Sequence, residues 1–75
     1  MITDEIKAKY LKYKDQKLNF ESYYKYEFYY TNDLIQVSVG GDSDDIYRAD
    51  LTPTMTLREL VHECGDEYLT IMEVT

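Results

Sequence analysis

SYYKYEFYY, residues Ser22 to Tyr30, places six aromatic rings in nine consecutive positions. From Tyr23 onward the residues alternate with a period of two, and aromatic side chains favour strands, so the pattern predicts a strand over residues 23–30. Tyr23 and Tyr29 share one face of this strand and are candidate anchors for a partner protein. The other face is predicted to line the core with Tyr24, Tyr26, Phe28 and Tyr30. A one-residue slip in register would exchange the two faces.

The flanking sequence predicts a first helix and three more strands. Thr3 is placed to cap a helix over residues 4–17, in which an apolar face is formed by Ile6, Tyr10 and Tyr13. This helix either packs on the core or forms a partner or dimer contact. Alternating or continuous apolar runs predict strands over residues 34–39, 46–51 and 68–74.

The clearest local signal is MTLRELVHECG, residues 55–65. Thr56 and Glu59 have the spacing of a capping box, and Met55 and Leu60 that of a hydrophobic staple. Gly65 is placed to end the helix. The segment therefore predicts a second helix over residues 57–64.

The order of these elements is α-β-β-β-α-β, which indicates one α+β domain over residues 1–75. We expect a four-stranded, mainly antiparallel sheet with two helices. The stretch from Leu51 to Tyr68 is long enough for a crossover, which would allow the last strand to run parallel to the third, or to the first if it crosses beneath the sheet. A core of this size is marginal without a disulfide, so a homodimer is a possible source of further stability.

The charge of −7 is unevenly distributed along the 75 residues. Residues 1–30 carry six lysines and five acids, whereas residues 31–75 carry two arginines and ten acids. Nucleic-acid affinity depends on clustered Lys and Arg, so we expect no direct nucleic-acid binding. An acidic surface favours basic partners instead, including the basic grooves of nucleic-acid enzymes.

Cysteine usage and hydropathy bear on the compartment. Cys64 is the single cysteine, which indicates a reducing compartment, and we expect a cytoplasmic protein. The first residues, MITDEIKAKY, lack the apolar run of a secretory signal. No stretch approaches the roughly 18 apolar residues of a membrane span, so we expect no membrane partner.

No residue pattern predicts catalysis, a cofactor or a metal site. His62 and Cys64 are two residues apart on a helix, so we expect Cys64 to face the core and His62 to face water. The loop GDSDD lacks the later Gly and Glu of a calcium loop. Gly40 and Gly41 precede a strand and bring no lysine, unlike a phosphate-binding loop. We therefore predict that the protein is not an enzyme.

Carboxylates are the remaining candidates for function. Acids on alternate strand residues stand about 7 Å apart, and those one helical turn apart about 5–6 Å, close to the roughly 7 Å between successive DNA phosphates. An acid array could therefore mimic nucleic acid, although an acidic face also serves solubility. The predicted partner-binding carboxylates are Asp42, Asp44, Asp45, Asp50, Glu59, Glu63, Asp66 and Glu67.

From Asp33 to Val74 the predicted plan is strand, acidic loop, strand, Thr-capped helix with a terminal Gly, and strand. This layout resembles small acidic phage-encoded inhibitors, such as the inhibitor of uracil-DNA glycosylase and many anti-CRISPR proteins. The resemblance covers just over half the chain and assigns a role to no single residue, and the N-terminal helix has no counterpart in the glycosylase inhibitor. It implies an inhibitor that acts in phage counter-defence.

Our leading hypothesis is a non-enzymatic acidic protein that binds the basic surface of a nucleic-acid-handling enzyme and inhibits it. The alternative is a regulatory or structural adaptor that self-associates, or binds a host protein, through its Tyr-rich strand and N-terminal helix.

Overall fold

The computed structural model describes residues 3–24, 27–40 and 52–74. In chain order the elements are α1 (Asp4–Tyr13), β1 (Lys17–Tyr24), β2 (Glu27–Thr31), β3 (Ile35–Gly40), β4 (Thr54–Thr56), α2 (Leu57–Cys64) and β5 (Thr70–Glu73). Within the described ranges the sheet therefore has five strands, one more than predicted. Their order is β4-β1-β2-β3-β5, and all neighbours are antiparallel. The predicted α+β class is confirmed.

The aromatic segment is a hairpin, so the predicted single strand over residues 23–30 is wrong. β1 ends at Tyr24, β2 begins at Glu27, and these two residues pair with each other. Both arms of an antiparallel hairpin keep the period of two, so alternation alone does not reveal where the chain reverses. Lys25 and Tyr26 lie outside the described residues, and the prediction that Tyr26 faces the core stays a prediction.

The reversal changes which tyrosine faces the core. Paired residues of an antiparallel ladder share a face. Tyr23 is paired with Phe28 and therefore lies on the core side, with the two ring centroids 4.9 Å apart. Tyr24 is paired with Glu27 on the opposite side and is 64% exposed, so its predicted core position is wrong. The predicted burial of Phe28 and Tyr30 is confirmed.

Helix α1 begins as predicted but ends four residues early, at Tyr13 rather than residue 17. Thr3 accepts a hydrogen bond from the Ile6 N–H at 3.2 Å, which confirms the N-cap. At the other end, Lys17 already belongs to β1, where Leu18 pairs with Met55 of β4 and is fully buried. Burial of Leu18 between two strands outweighs the helix propensity of this segment.

Helix α2 spans Leu57–Cys64, as predicted. The Thr56 hydroxyl accepts from the Glu59 N–H at 3.1 Å, and the Glu59 carboxylate accepts from the Thr56 N–H at 3.0 Å. The predicted capping box is therefore confirmed. Gly65 ends the helix with φ +81°, a left-handed conformation that favours glycine, and its N–H donates to the Val61 carbonyl.

The last strand is an edge strand within the described sheet. β5 is shorter than the predicted 68–74 and pairs antiparallel with β3. A parallel alignment with the predicted third strand stays a prediction. Strands β4 and β5 lie at opposite edges of the sheet, and α2 connects them across one face. The predicted strand over residues 46–51 falls outside the described residues.

Both helices contribute to one hydrophobic core on the same side of the sheet. Of the predicted α1 stripe, Tyr13 is buried, while Ile6 and Tyr10 pack against the core. Neither α1 nor α2 is long and apolar enough to cross a bilayer. The buried apolar residues are Tyr13, Leu18, Phe28, Tyr30, Ile35, Val37, Val39, Met55, Leu57, Leu60, Leu69 and Ile71.

The capping box gives a direct test of the fold. Thr56→Ala removes the hydroxyl that accepts from the Glu59 N–H, so we expect the free energy of unfolding to fall by about 1 kcal/mol. Urea denaturation followed by circular dichroism measures this change. The matched control is Thr54→Ala, two residues earlier on β4 and exposed, for which we expect a smaller loss. An equal loss in both variants would show that strand propensity, not capping, sets the effect.

Candidate partner-binding surfaces

The six predicted contact residues that the structure describes do not form one surface. Four of the predicted carboxylates lie outside the described residues, namely Asp42, Asp44, Asp45 and Asp50. Their role stays a prediction. The remaining six residues are divided among four places in the fold.

Glu59 is occupied by the fold. Its Oε1 accepts hydrogen bonds from both the N–H and the hydroxyl of Thr56, and these bonds lower the pKa of the carboxyl. A carboxylate that neutralises its own helix N-terminus has less to offer a partner. Glu59 is therefore first a capping residue.

Glu63, Asp66 and Glu67 form the acidic helix end, at and just beyond the C-terminus of α2. All three are exposed. The C-terminus is the negative end of the helix dipole, so acids placed there oppose stability. Asp66 also lines a cleft of about 150 Å³ with Tyr10, Val61 and Leu69. The acidic helix end thus combines negative charge with an adjacent apolar recess.

The two predicted tyrosine anchors lie on opposite sides of the sheet. Tyr23 is on the core side, beside Phe28. Tyr29 is on the outer side, where its hydroxyl donates to Glu27 Oε1 at 2.8 Å. That carboxylate and burial raise the pKa of Tyr29. The structure therefore does not bring Tyr23 and Tyr29 together.

The outer side of the sheet carries exposed and half-buried residues of which only Tyr29 was a predicted contact. We define the open sheet face by its outward residues Glu21, Tyr24, Glu27, Tyr29, Gln36, Ser38, Thr70 and Met72. No described helix covers this face, because both helices pack on the other one. The outward position of Glu27 and Tyr29 was predictable from the alternation of residues in the sequence. The outward position of Met72 was not, because it follows from the pairing of β5 with β3.

The edges of the sheet are blocked by side chains, beginning with β5. The Val74 N–H donates to the Leu34 carbonyl, which makes these residues a hydrogen-bonded pair. Alternation along the ladder then turns the backbone groups of Ile71 towards the free edge. There Lys9 Nζ donates to the Ile71 carbonyl at 3.3 Å. A lysine at an edge strand opposes pairing with another chain.

The β4 edge is closed in a similar way. The Thr54 carbonyl accepts from the Thr52 hydroxyl, and the Thr56 N–H donates to the Glu59 carboxylate. The Tyr-rich strands β1 and β2 lie inside the sheet. The alternative adaptor hypothesis therefore requires contact through a face rather than through a strand edge.

The chemistry of His62 and Cys64 follows the predicted geometry. Cys64 is half-buried while His62 is exposed. Burial raises the pKa of the Cys64 thiol to about 11, so little reactive thiolate forms near neutral pH. Residues 3–24, 27–40 and 52–74 contain no group of three His, Cys, Asp or Glu side chains that could hold a metal ion.

A second cleft of about 420 Å³ lies between β4 and α2. Its polar lining includes Arg58, Glu59, His62 and Glu63. Arg58 is engaged outside the cleft, where it donates to Asp15 Oδ1 at 2.8 Å. The mixed charge of this lining selects no one class of ligand.

A scan against models of protein families, a search of curated proteins and a search of solved structures each found no match to this chain. The resemblance to small phage-encoded inhibitors therefore stays a prediction from layout.

The carboxylates that the fold engages predict acid sensitivity. The Tyr13 hydroxyl and Lys12 both donate to Glu73, and these hydrogen bonds hold the pKa of that carboxyl below its ordinary value of 4.5. A carboxyl whose pKa is lower in the folded state than in the unfolded state stabilises the fold above about pH 4.5. This stabilisation is lost as the pH falls through the folded-state pKa. We expect the urea midpoint to decrease between about pH 5 and pH 3.

Glu73→Gln should make this decrease shallower, since the variant has no carboxylate to protonate. The matched control is Glu63→Gln on α2, which removes an acid outside these bonds and should keep the wild-type slope. An unchanged slope in Glu73→Gln would contradict the assignment of acid sensitivity to the contact between α1 and β5.

Proposed function

We propose that this protein is a non-enzymatic binding protein that occupies the basic surface of a nucleic-acid-processing enzyme and inhibits it. Phage counter-defence is the setting that the layout resemblance favours. The observation that carries the proposal is the acidic helix end. Its three exposed acids stand where the helix dipole opposes them, and residues of this kind are often kept for function rather than stability.

The neighbourhood of the acidic helix end supports binding of a basic partner. Tyr10, Val61 and Leu69 form an apolar recess beside Asp66. An arginine or lysine of the partner can place its aliphatic part in such a recess and its charge against the carboxylate. The apolar contact would add affinity that charge alone does not give on an exposed surface.

A second candidate function is an adaptor that binds another protein through the open sheet face. It is favoured by the exposure of Tyr24 and Met72 on a face that no described helix covers. Self-association through strand edges is disfavoured by the blocking contacts of Lys9 and Glu59.

The leading proposal is tested with bacterial nucleic-acid-binding proteins retained on DNA-cellulose. The immobilised chain should capture an enzyme from this fraction, and free DNA should compete for it. Glu63→Gln/Asp66→Asn/Glu67→Gln should weaken the affinity for that enzyme about ten-fold or more, because three charge pairs are lost together. The affinity of the unmodified chain should also fall between 50 and about 500 mM salt, as charges are screened.

The control is Asp4→Asn/Glu5→Gln/Asp33→Asn, which removes the same charge from exposed positions elsewhere. This variant should keep most of the affinity. An equal loss of affinity in both triple variants would show that binding depends on the net charge of the protein and not on the acidic helix end. Affinity that is constant across the salt series would contradict binding through carboxylates.

A further inference from the structure

The open sheet face has the composition of a protein interface. Met72 is 59% exposed on β5, and Tyr24 is 64% exposed on β1. Tyr29 lies between them in the sheet, on β2. Tyrosine and methionine are both enriched at protein interfaces. Tyrosine offers a large contact area with few rotatable bonds, and methionine offers a flexible thioether that adapts to its neighbours. In an antiparallel sheet of this kind, one solvated face would ordinarily be uniformly polar.

A shallow groove of about 110 Å³ crosses this face. Tyr29, Val37 and Met72 provide its apolar lining, and Glu21 contributes a carboxylate. Gln36, Ser38 and Thr70 supply further polar groups between them. The groove therefore offers an apolar surface with acid at its margin, and its size suits a single long side chain rather than a small-molecule ligand.

Glu27 is held in place beside this groove. Tyr29 donates to Glu27 Oε1 at 2.8 Å, and Ser38 donates to the same oxygen at 3.1 Å. Both described donors use Oε1, so Oε2 can accept a hydrogen bond from a partner. A carboxylate already oriented by two neighbours loses less conformational entropy on binding than a free side chain.

The charge of the face selects the occupant. Glu21 and Glu27 are its acids, and Lys17 lies towards the β4 corner, where it pairs with Thr56. A second copy of the chain is a poor occupant, because a two-fold contact would bring the acids of both copies together. A segment that alternates cationic and apolar side chains satisfies both the carboxylates and Met72.

We propose that the open sheet face binds a segment of another protein that presents lysine or arginine beside apolar side chains. The cationic group contacts Glu27 and Glu21, while the apolar side chains cover Tyr29 and Met72. The proposal rests on the second candidate function and not on the acidic helix end. It names the partner chemistry that an adaptor surface of this composition would recognise.

The test is a titration of the ¹⁵N-labelled chain with a nine-residue peptide of alternating Lys and Leu, with blocked ends. We expect chemical-shift changes at Tyr29, Ser38 and Met72. Met72→Thr keeps a strand-forming residue and should weaken binding about ten-fold, because the thioether contact is lost. Glu27→Gln should weaken it about two- to five-fold, as for an exposed ion pair.

Three comparisons make the outcome decisive. Asp33→Asn removes the same charge from an exposed position outside both surfaces and should leave peptide affinity unchanged. A Glu-Leu peptide that binds the open sheet face equally well would overturn the cationic preference but leave the adaptor function standing. If no peptide shifts the face, both the inference and the adaptor function fail. A concentration-dependent dimer in sedimentation, with the same residues shifting, would make a second copy the occupant and overturn the proposal.

Discussion

The junction between β4 and α2 is joined to the loop after α1 by backbone hydrogen bonds, and the rest of the fold depends on this contact. The first two N–H groups of α2, from Leu57 and Arg58, donate to the carbonyls of Gln16 and Lys14. The third, from Glu59, is capped by Thr56. The Thr56 N–H donates to the Glu59 carboxylate, so all four N–H groups that a helix start leaves unpaired are satisfied by protein groups.

This contact sets the position of several elements at once. It holds the end of the α1 loop beside the start of α2, so β1 leaves the loop already next to β4. Leu18 and Met55 then meet in the core. Because the N-terminus of α2 is closed by protein groups, the positive end of its dipole is not open to a phosphate or another anion. The two surfaces that we propose for binding lie elsewhere, at the opposite end of α2 and on the sheet.

Local signals in the sequence predicted the features that depend on neighbouring residues. The capping box at Thr56, the extent of α2 and the strand at β3 are each decided within a few positions. The end of α1 was not predictable in this way, because Leu18 becomes a strand residue only through its pairing with Met55. β4 was also missed, because a strand of three residues is too short to show a periodicity and is defined by its pairing with β1.

The aromatic hairpin shows why a correct period can still give wrong faces. An even separation guarantees a shared face only within one regular strand. The reversal between Tyr24 and Glu27 makes Tyr23 and Phe28 neighbours across the ladder, although their separation is odd. The burial of Phe28 and Tyr30 was predictable because both lie in β2. The faces of Tyr23 and Tyr24 required the position of the turn, and no Asn-Gly or Gly-rich pair marks it.

Acidic residues with the same sequence spacing also differ in what they can do for function. Glu59 and Glu63 are one turn apart on α2. The Glu59 carboxylate accepts from Thr56, whereas Glu63 is exposed to solvent. On the sheet, Glu27 is oriented by Tyr29 and Ser38, and both of these hydrogen bonds use its Oε1. A carboxylate contributes to recognition in proportion to the hydrogen-bonding capacity that folding leaves it. By that measure Glu63, Asp66 and Glu27 are stronger candidates than Glu59, so recognition would use the acidic helix end and the open sheet face rather than one continuous acidic array.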